Sequence, residues 1–349
     1  MTGAWSTKEK IGLACVALAL IALPFVLAMA GTAWVRITNF AVLFILLSLG
    51  LNIVVGFAGL LDLGYVAFFA VGAYVYALLA SPHFGLHLPF WVILPIGAAV
   101  AGLAGAVLGA PTLRLRGDYL AIVTLGFGEI VRIFMNNLSA PVNITNGPKG
   151  INLIDPFRIG DFSFSANSGA LSGPIKYYYF LLLVLLAVIV INRRLQDSRI
   201  GRAWVAIRED EIAAKAAGIN TRNIKLLAFA MGASFGGIAG GMFAAIQGFV
   251  SPESFILNES IMILAMVVLG GMGNIWGVIA GAVLLSFMPE LLRYTVEPAQ
   301  KALFGKMLVD PEVLRMLIFG LALVLTMRFR PAGLWPETRH RRELDADRK

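Results

Sequence analysis

Long apolar runs separated by short polar stretches dominate the chain, and each run is close to the length of a membrane-crossing helix. About 20 residues are needed to cross the hydrocarbon as an α-helix. Eight runs fit, at residues 11–30, 38–57, 64–80, 89–110, 119–137, 177–192, 226–248 and 312–328. A further run from Ser260 to Met288 is too long for one crossing and contains a glycine-rich break, so we interpret it as segments 259–270 and 276–288. The pattern predicts an all-α polytopic membrane protein with about ten transmembrane segments, some of them short and broken at glycines.

The distribution of Lys and Arg gives an independent prediction of topology, because cytoplasmic loops carry an excess of basic residues. With both termini in the cytoplasm, 19 basic residues fall in inside loops and 7 in outside loops. An odd number of spans would place the basic C-terminal tail outside. The charges therefore favour ten spans with both termini cytoplasmic.

Composition supports the membrane class and excludes others. Hydrophobic residues make up 59% of the chain, charged residues 14%, and the mean hydropathy is +0.83, which no single soluble core accommodates. The net charge of +8 is spread in short clusters between apolar runs rather than along one face, so no nucleic-acid partner is expected. One cysteine and three histidines provide neither a disulfide framework nor metal-ligand spacing.

The first apolar segment has two interpretations. Lys8 and Lys10 followed by an apolar stretch ending at Ala30 resemble a cleavable signal peptide. Cleavage would leave an odd number of spans, so an uncleaved first span fits the charge pattern better. The predicted organisation is then an N-terminal tail and first span at 1–37, a transmembrane domain at 38–336 and a charged tail at 337–349.

Two glycine-rich breaks interrupt the spans, at 56–64 and 270–277. Unwound backbone is tolerated in a membrane only where protein or a water-filled cavity satisfies it, and in transporters such breaks line the substrate route. We therefore predict that these breaks border the translocation path, and the candidate residues are Asn52, Asp62, Gly270, Gly271, Gly273 and Asn274. The glycines at 102–109 and 236–241 are interpreted instead as sites of close helix packing.

Ionisable residues inside a span are costly and therefore informative. Glu129 and Arg132 stand three residues apart in the span 119–137, so on a helix they share a face and are predicted to form an ion pair. That pair serves either to fix the helix against a neighbour or to contact the substrate. Asp62 either caps a helix or lines a vestibule, and capping is the simpler interpretation.

The segment 193–225 is the one long charged interruption, with eight basic and four acidic residues. Three acids favour a helix N-terminus through the helix dipole, alanines are strong helix formers, and Gly218 favours a stop. We predict a short cytoplasmic helix around Glu209–Ala217 whose small side chains form an exposed face for another protein. The residues assigned to this contact are Glu209, Asp210, Glu211, Ala213, Ala214 and Gly218. The alternative is an ordinary solvated loop helix.

No motif supplies an energy source or a catalyst. The phosphate-binding pattern G-x-x-x-x-G-K-[ST] does not occur, and the glycine cluster at 236–241 lacks its lysine. No Ser/His/Asp set or pair of carboxylates with water-accessible geometry is evident. The chain is therefore expected to be non-catalytic and to bind no ATP or other cofactor, so uphill transport needs a partner or an ion gradient.

Four motifs in one order resemble the permeases of branched-chain amino acid ABC importers, in particular their LivM-type subunits. They are the sequences at 64–74 (GYVAFFAVGAY), 113–132 (LRLRGDYLAIVTLGFGEIVR), 270–274 (GGMGN) and 328–335 (RFRPAGLW). The resemblance covers about residues 38–336. The segment 193–225 also resembles the coupling segment of ABC permeases. It departs from the general loop motif because Ile212 separates Glu211 from the alanine pair and because the closing Leu-Pro is missing.

The resemblance implies a complex in the bacterial cytoplasmic membrane. It implies a second, LivH-like permease, two cytoplasmic ATPase subunits that bind the ATP, and an extracytoplasmic binding protein that delivers leucine, isoleucine or valine. The segment 193–225 would then couple the ATPases to the spans. Alternatives remain: a related importer for urea or short amides, an ion-driven secondary transporter, and a passive channel or membrane scaffold. Glu129 is the one acid well placed for ion coupling, and its expected pairing with Arg132 weakens that role.

Overall fold

A computed structural model describes residues 7–112, 115, 117–139, 142–159, 162–165, 172–304, 310–330 and 333–335. Within these residues the chain forms twelve α-helices. The bounds are α1 Thr7–Ala30, α2 Thr32–Asn52, α3 Val66–Leu79, α4 Phe90–Thr112, α5 Asp118–Asn137, α6 Gly173–Asp197, α7 Arg199–Glu209, α8 Glu211–Ala216, α9 Thr221–Gln247, α10 Leu257–Gly270, α11 Ile275–Phe304 and α12 Pro311–Phe329. A π-helical turn, Ile53–Phe57, continues α2.

Every predicted apolar segment corresponds to a helix, and the prediction of an all-α polytopic fold is confirmed. The long run at 260–288 is divided into α10 and α11, as its glycines indicated. Of the described helices, six are long and apolar enough to cross a membrane, and shorter apolar helices lie within α1, α3 and α12. The number of ten crossings stays a prediction. The predicted segment 276–288 ends too early, because α11 continues to Phe304 through Pro289 and Pro298.

Helix α2 forms the centre of the molecule. It packs against α1, α6, α9, α10 and α11, and 89% of its most apolar 18-residue window is buried. A helix surrounded by other helices needs apolar side chains on every side, which explains why its sequence shows little amphipathic pattern. Its carboxyl end therefore carries the first glycine-rich break into the interior of the protein.

Helices α3, α4 and α9 pack so closely that their backbones touch. A Cβ atom added to Gly237 would lie 2.7 Å from the carbonyl oxygen of Gly97, and one added to Gly105 would lie 2.8 Å from that of Phe229. Small residues are what allow membrane helices to approach this closely. The interpretation of the glycines at 102–109 and 236–241 as packing sites is confirmed.

Helix α1 is held to α6 through its backbone. Pro24 lies inside α1 and has no N–H group, so the carbonyl of Leu20 loses the donor that an ordinary residue at 24 would supply. The Tyr178 hydroxyl donates to that carbonyl at 3.0 Å, and the Tyr179 hydroxyl donates to the Ile21 carbonyl at 2.7 Å. Tyr178 thus supplies the hydrogen bond that proline removes, as membrane helices require, and Tyr179 adds a second link to the next carbonyl.

A short β structure joins the segment before α6 to the end of α9. Strand β1, Ile151–Asn152, pairs antiparallel with β4, Phe249–Val250, while β2, Arg158–Ile159, pairs with β3, Phe162–Ser163. These pairs lie on the side that the charge pattern predicts to be outside. The predicted charged tail at 337–349 lies outside the described residues.

Candidate functional site

The charged segment contains two consecutive short helices, α7 and α8, rather than one. Ser198 begins α7 by accepting a hydrogen bond from the Gly201 amide at 3.1 Å. Trp204 is fully buried and donates its indole N–H to the Ile224 carbonyl of α9 at 2.7 Å. This contact fixes α7 beside the amino-terminal end of a long apolar helix.

The predicted helix at Glu209–Ala217 is shorter in the structure, where α8 covers Glu211–Ala216. Glu209 is the last residue of α7, so its assignment to the short helix is wrong. The Asp210 carboxylate caps α8 by accepting from the amides of residues 212 and 213 at 2.7 and 3.0 Å. The predicted stop is observed: Gly218 has φ +85°, and the amide after it bonds back to the carbonyl of residue 214.

Glu211 ties α8 to α9. Its carboxylate lies 2.8 Å from Nζ of Lys225, whose side chain is 8% exposed, and 3.3 Å from Nζ of Lys215, which is 56% exposed. Partial burial raises the pKa of the Glu211 carboxyl, but hydrogen bonds and charge from Lys225 and then Lys215 outweigh it, so the pKa lies below its ordinary value. The stabilisation is therefore complete above the ordinary carboxyl pKa and is lost only as the pH falls through the lower folded-state value.

The outward face of α8 differs from the predicted one. Ala214 is 4% exposed and packs inside the chain, because it lies on the face of α8 that is turned inward. Its prediction as part of the exposed face is wrong. Ile212 is instead 70% exposed, and Ala213 is also exposed. Ile212 was noted in the sequence only as a departure from the family motif, because a single sequence does not show which face of the helix is turned outward.

The first break joins α2 to α3 and crosses the second break directly. Asn52 is fully buried, and its Oδ1 accepts from the amide of Gly273 at 2.9 Å. Gly56 lies beside this bond, since an added Cβ would be 2.6 Å from the Gly273 nitrogen. The structure thus brings together two path candidates that are 221 positions apart in sequence.

The second break is a tight turn closed by the C-terminal segment. Gly271 has φ +119° and Gly273 has φ +88°, conformations that favour glycine. Asn274 Oδ1 accepts from the Trp276 amide at 3.0 Å and so begins α11, and its Nδ2 donates to the carbonyl of Trp335. Gly270 packs on the backbone of Gly277. Turn geometry accounts for Gly271 and Gly273 and close helix contact accounts for Gly270, while their role along a substrate path stays a prediction.

Asp62 lies in the first break and is 1% exposed. Its Oδ1 accepts from the Gly64 amide at 2.9 Å, which forms a turn before α3 rather than the cap of that helix, where Tyr65 stands. Its Oδ2 has no hydrogen-bond partner among the described residues. The sequence suggested that Asp62 either caps a helix or lines a vestibule. The structure shows that Asp62 is not the N-cap residue of α3.

Glu129 and Arg132 lie together on α5, where Arg132 Nε is 3.0 Å from Glu129 Oε2. A second carboxylate was not foreseen: Glu253, in the turn before α10, lies 3.2 Å from Arg132 Nη1. Side-chain exposures of 26% for Arg132 and 33% for Glu129 show that this cluster is partly open on one face of α5. Sequence gives no signal for Glu253, because its partner is 121 positions away.

Because Arg132 has two carboxylate partners, replacing one of them should change the stability only slightly. Glu129→Gln leaves Arg132 with Glu253, so we expect little loss of thermal stability, within about 1 kcal/mol because the cluster is partly exposed. Glu253→Gln should behave similarly. The double substitution removes both counter-charges and should cost more than the sum of the two, as a double-mutant cycle of thermal stability in detergent would show. Strict additivity would contradict the three-residue cluster.

Among the described residues, no group of three or more His, Cys, Asp or Glu side chains is placed to hold a metal ion. The site consists instead of helix discontinuities inside an apolar bundle and a capped helix outside it. Such a fold and site define a multi-pass membrane permease.

Comparison with known proteins identifies the family. The sequence profile described as branched-chain amino acid transport system, permease component, matches residues 33–327. The chain is 46% identical over 351 positions to the high-affinity branched-chain amino acid transport system permease protein LivM of Escherichia coli K12, covering 96% of this chain and 76% of that protein. The chain belongs to this permease family, which confirms the resemblance seen in its motifs.

More distant relatives carry related names. A probable LivM of Methanocaldococcus jannaschii is 26% identical over 253 positions, covering 70% of this chain and 69% of that protein. The LivH permease of Escherichia coli K12 is 24% identical over 262 positions, covering 70% of this chain and 80% of that protein. No solved structure matches the chain.

Proposed function

We propose that this chain is a permease subunit of an ATP-driven importer of leucine, isoleucine and valine. The observation that carries the proposal is the capped cytoplasmic helix α8, which presents Ile212 outward at 70% exposure while Glu211 fixes its other side to α9. A rigidly held helix with an exposed apolar side chain is suited to a groove on another protein. The names of the LivM relatives supply the substrate class.

The partners follow from the same proposal. Two cytoplasmic ABC ATPase subunits bind and hydrolyse ATP, and the permease itself needs no cofactor and performs no chemistry. An extracytoplasmic binding protein delivers the amino acid. The complex lies in the bacterial cytoplasmic membrane with both termini of this chain in the cytoplasm, in accord with the distribution of Lys and Arg.

The second permease packs on the uncovered face of α5. This helix touches the end of the first break, just before α3, where Gly128 approaches Gly64, and its opposite face exposes large apolar side chains. The exposed residues are Ile122, Ile130, Ile133 and Phe134, between 52% and 64% accessible. The partly open charges of Glu129 and Arg132 lie on the same helix, where a path between two permeases would place them beside a zwitterionic substrate.

The proposed transport cycle begins at the ATPase subunits. ATP closes the ATPase pair, α8 follows the subunit to which it is docked, and α7 and α9 carry the displacement to the spans. The apolar cavity between the two permeases then changes the side on which it is open. An ion-driven mechanism is less well supported, because Arg132 lies 3.0 Å from Glu129, the acid that the sequence places inside a span for ion coupling, and so neutralises it.

Reconstitution of the complete complex in vesicles tests this function. Vesicles with ATP inside and the binding protein outside should accumulate leucine, whereas vesicles without ATP should not. Urea at the same concentration should remain outside. Accumulation that needs an ion gradient instead of ATP would contradict the proposal.

Ile212→Asp provides the matching test of docking. The charge should weaken contact with the ATPases, and leucine uptake should fall by at least about tenfold, equivalent to about 1.4 kcal/mol. The control is Arg222→Asp, which adds a carboxylate at an exposed position on α9 near the same end of the bundle. ATPase co-purification should fall only for the Ile212 variant. Normal assembly and uptake by Ile212→Asp would show that α8 is not the docking element.

A further inference from the structure

Arg208, near the end of α7, connects α8, the proposed docking helix, to the interior of the bundle. It lies two residues before the Asp210 cap of α8, and its Nη1 donates to the carbonyl of Gly56 at 2.5 Å. Gly56 belongs to the π-helical turn at the end of α2. One side chain therefore joins the cytoplasmic helices to the first break.

The Gly56 carbonyl needs this donor. In the π-helical turn the amide of Leu60 bonds the Val54 carbonyl, and the chain then leaves the helix axis. Carbonyl groups at the end of a helix lack partners within the helix and carry partial negative charge. A guanidinium satisfies both the hydrogen bond and the charge, and π-helical turns are frequent at functional positions.

A second glycine, Gly59, also lies against the Arg208 side chain. Gly59 has φ +68°, and a Cβ added there would lie 2.7 Å from Cγ of Arg208. The loop after α2 can pass over the arginine only because residue 59 has no side chain. The contact is therefore a close fit of backbone and side chain along the whole length of the arginine.

On its other side, Gly56 touches the second break. The Asn52 amide side chain, bonded to the Gly273 amide at 2.9 Å, fills the space where a Gly56 Cβ would lie. A displacement of the Gly56 backbone must therefore act on the turn between α10 and α11. The contacts form one series from Arg208 at the end of α7, through Gly56 and Asn52, to Gly273, and α8 follows α7 directly along the chain.

A cavity gives Arg208 room to change its partner. It has a volume of about 230 Å³ and lies between α7 and the loop after α2. Arg208 lines it together with Asp118, Glu211 and Lys225, of which Glu211 and Lys225 already form an ion pair at 2.8 Å. Asp118 is therefore the alternative acceptor beside the guanidinium when α7 moves away from Gly56, and a second partner of this kind is what a two-state element requires.

We infer that Arg208 is the positioning residue that transmits movement of the docking helix to both breaks, so that ATP hydrolysis and opening of the path occur together. The inference rests on the proposed function and adds the residue that couples its two halves. Loss of the bond between Arg208 and Gly56 should leave the ATPases active while uncoupling them from transport.

The test measures leucine imported per ATP hydrolysed by the complete complex in vesicles. Arg208→Ala should lower this ratio by about fivefold or more, the lower range of a typical coupling energy, with ATP hydrolysis largely retained. Arg208→Lys keeps one donor and should restore part of the ratio. The control is Arg202→Ala, because Arg202 also donates to a backbone carbonyl from α7, at 2.8 Å, but on the exposed side. Its ratio should equal that of the wild type.

The outcomes are distinct. A wild-type ratio for Arg208→Ala would overturn the inference while leaving the proposed function intact. Failure of the wild-type complex to import leucine with ATP would instead refute the proposed function. Assembly with the ATPases is measured for each variant, with Arg208→Gln as a third, milder change. Loss of assembly in all three Arg208 variants would make the arginine a folding residue and would also overturn the inference.

Discussion

Gly270→Ala is expected to abolish most of the folded permease. An added Cβ would lie 2.9 Å from Cα of Val278 and closer still to the carbonyl of Gly277, so helices α10 and α11 would have to separate. Backbone atoms cannot rotate away as a side chain can, and we expect a cost of at least about 3 kcal/mol, at the upper end for overpacked cores. The measurement is the fraction of detergent-solubilised protein that stays monodisperse after heating.

Gly97→Ala is the matched control for this substitution. Gly97 is also a buried helical glycine, but its added Cβ would find its nearest neighbours at 3.8 to 4.0 Å, which is ordinary contact. Replacing glycine by alanine inside a helix favours the helix by up to about 1 kcal/mol. Gly97→Ala should therefore match or exceed the wild type. Equal stability of the two variants would mean that α10 and α11 are not in backbone contact.

Lys225→Met is expected to loosen α8, the proposed docking helix. Methionine keeps the apolar length of lysine, but the Glu211 carboxylate loses its shortest ion pair, at 2.8 Å, and keeps Lys215 and the Thr221 hydroxyl, each at 3.3 Å. A hydrogen bond to a charged group contributes about 1.5–3 kcal/mol, and the remaining partners offset part of that loss. Helix α8 should then be held less firmly to α9, and leucine uptake by the reconstituted complex should fall severalfold, together with ATPase stimulation by the binding protein.

Lys215→Met removes the other lysine from the same carboxylate. Its side chain is 56% exposed and lies one turn along α8, so the pair is solvated and contributes little. Uptake should stay within twofold of the wild type, about 0.4 kcal/mol. A comparable loss for the two lysine variants would show that net charge around Glu211 matters rather than the link between helices.

The sequence predicted the helices well because hydropathy and length decide where a membrane helix forms. The division of 260–288 could be predicted because glycines provide a local signal. The end of α11 could not, because Pro289 and Pro298 ordinarily indicate a break, and tertiary packing allows the helix to continue to Phe304. Local patterns identify helices, but packing decides their ends.

The site was predicted less completely, for the same reason. Asp210, Glu211 and Gly218 could be chosen because caps, charges and stops act within one turn of helix. Whether Ala214 faces inward depends on where α9 passes, which no local pattern contains. The partners Lys225, Glu253 and Arg208 are defined by contacts between distant segments, so a single sequence carries no signal for them.

The bond between Tyr178 and the Leu20 carbonyl has a consequence for how this protein tolerates sequence change. The hydroxyl is needed only because Pro24 provides no amide, so the effect of losing the tyrosine depends on the residue at 24. With an ordinary residue there, phenylalanine at 178 would leave no carbonyl unsatisfied. Positions 24 and 178 are therefore epistatic, and the order in which they change during evolution is constrained although they belong to different helices.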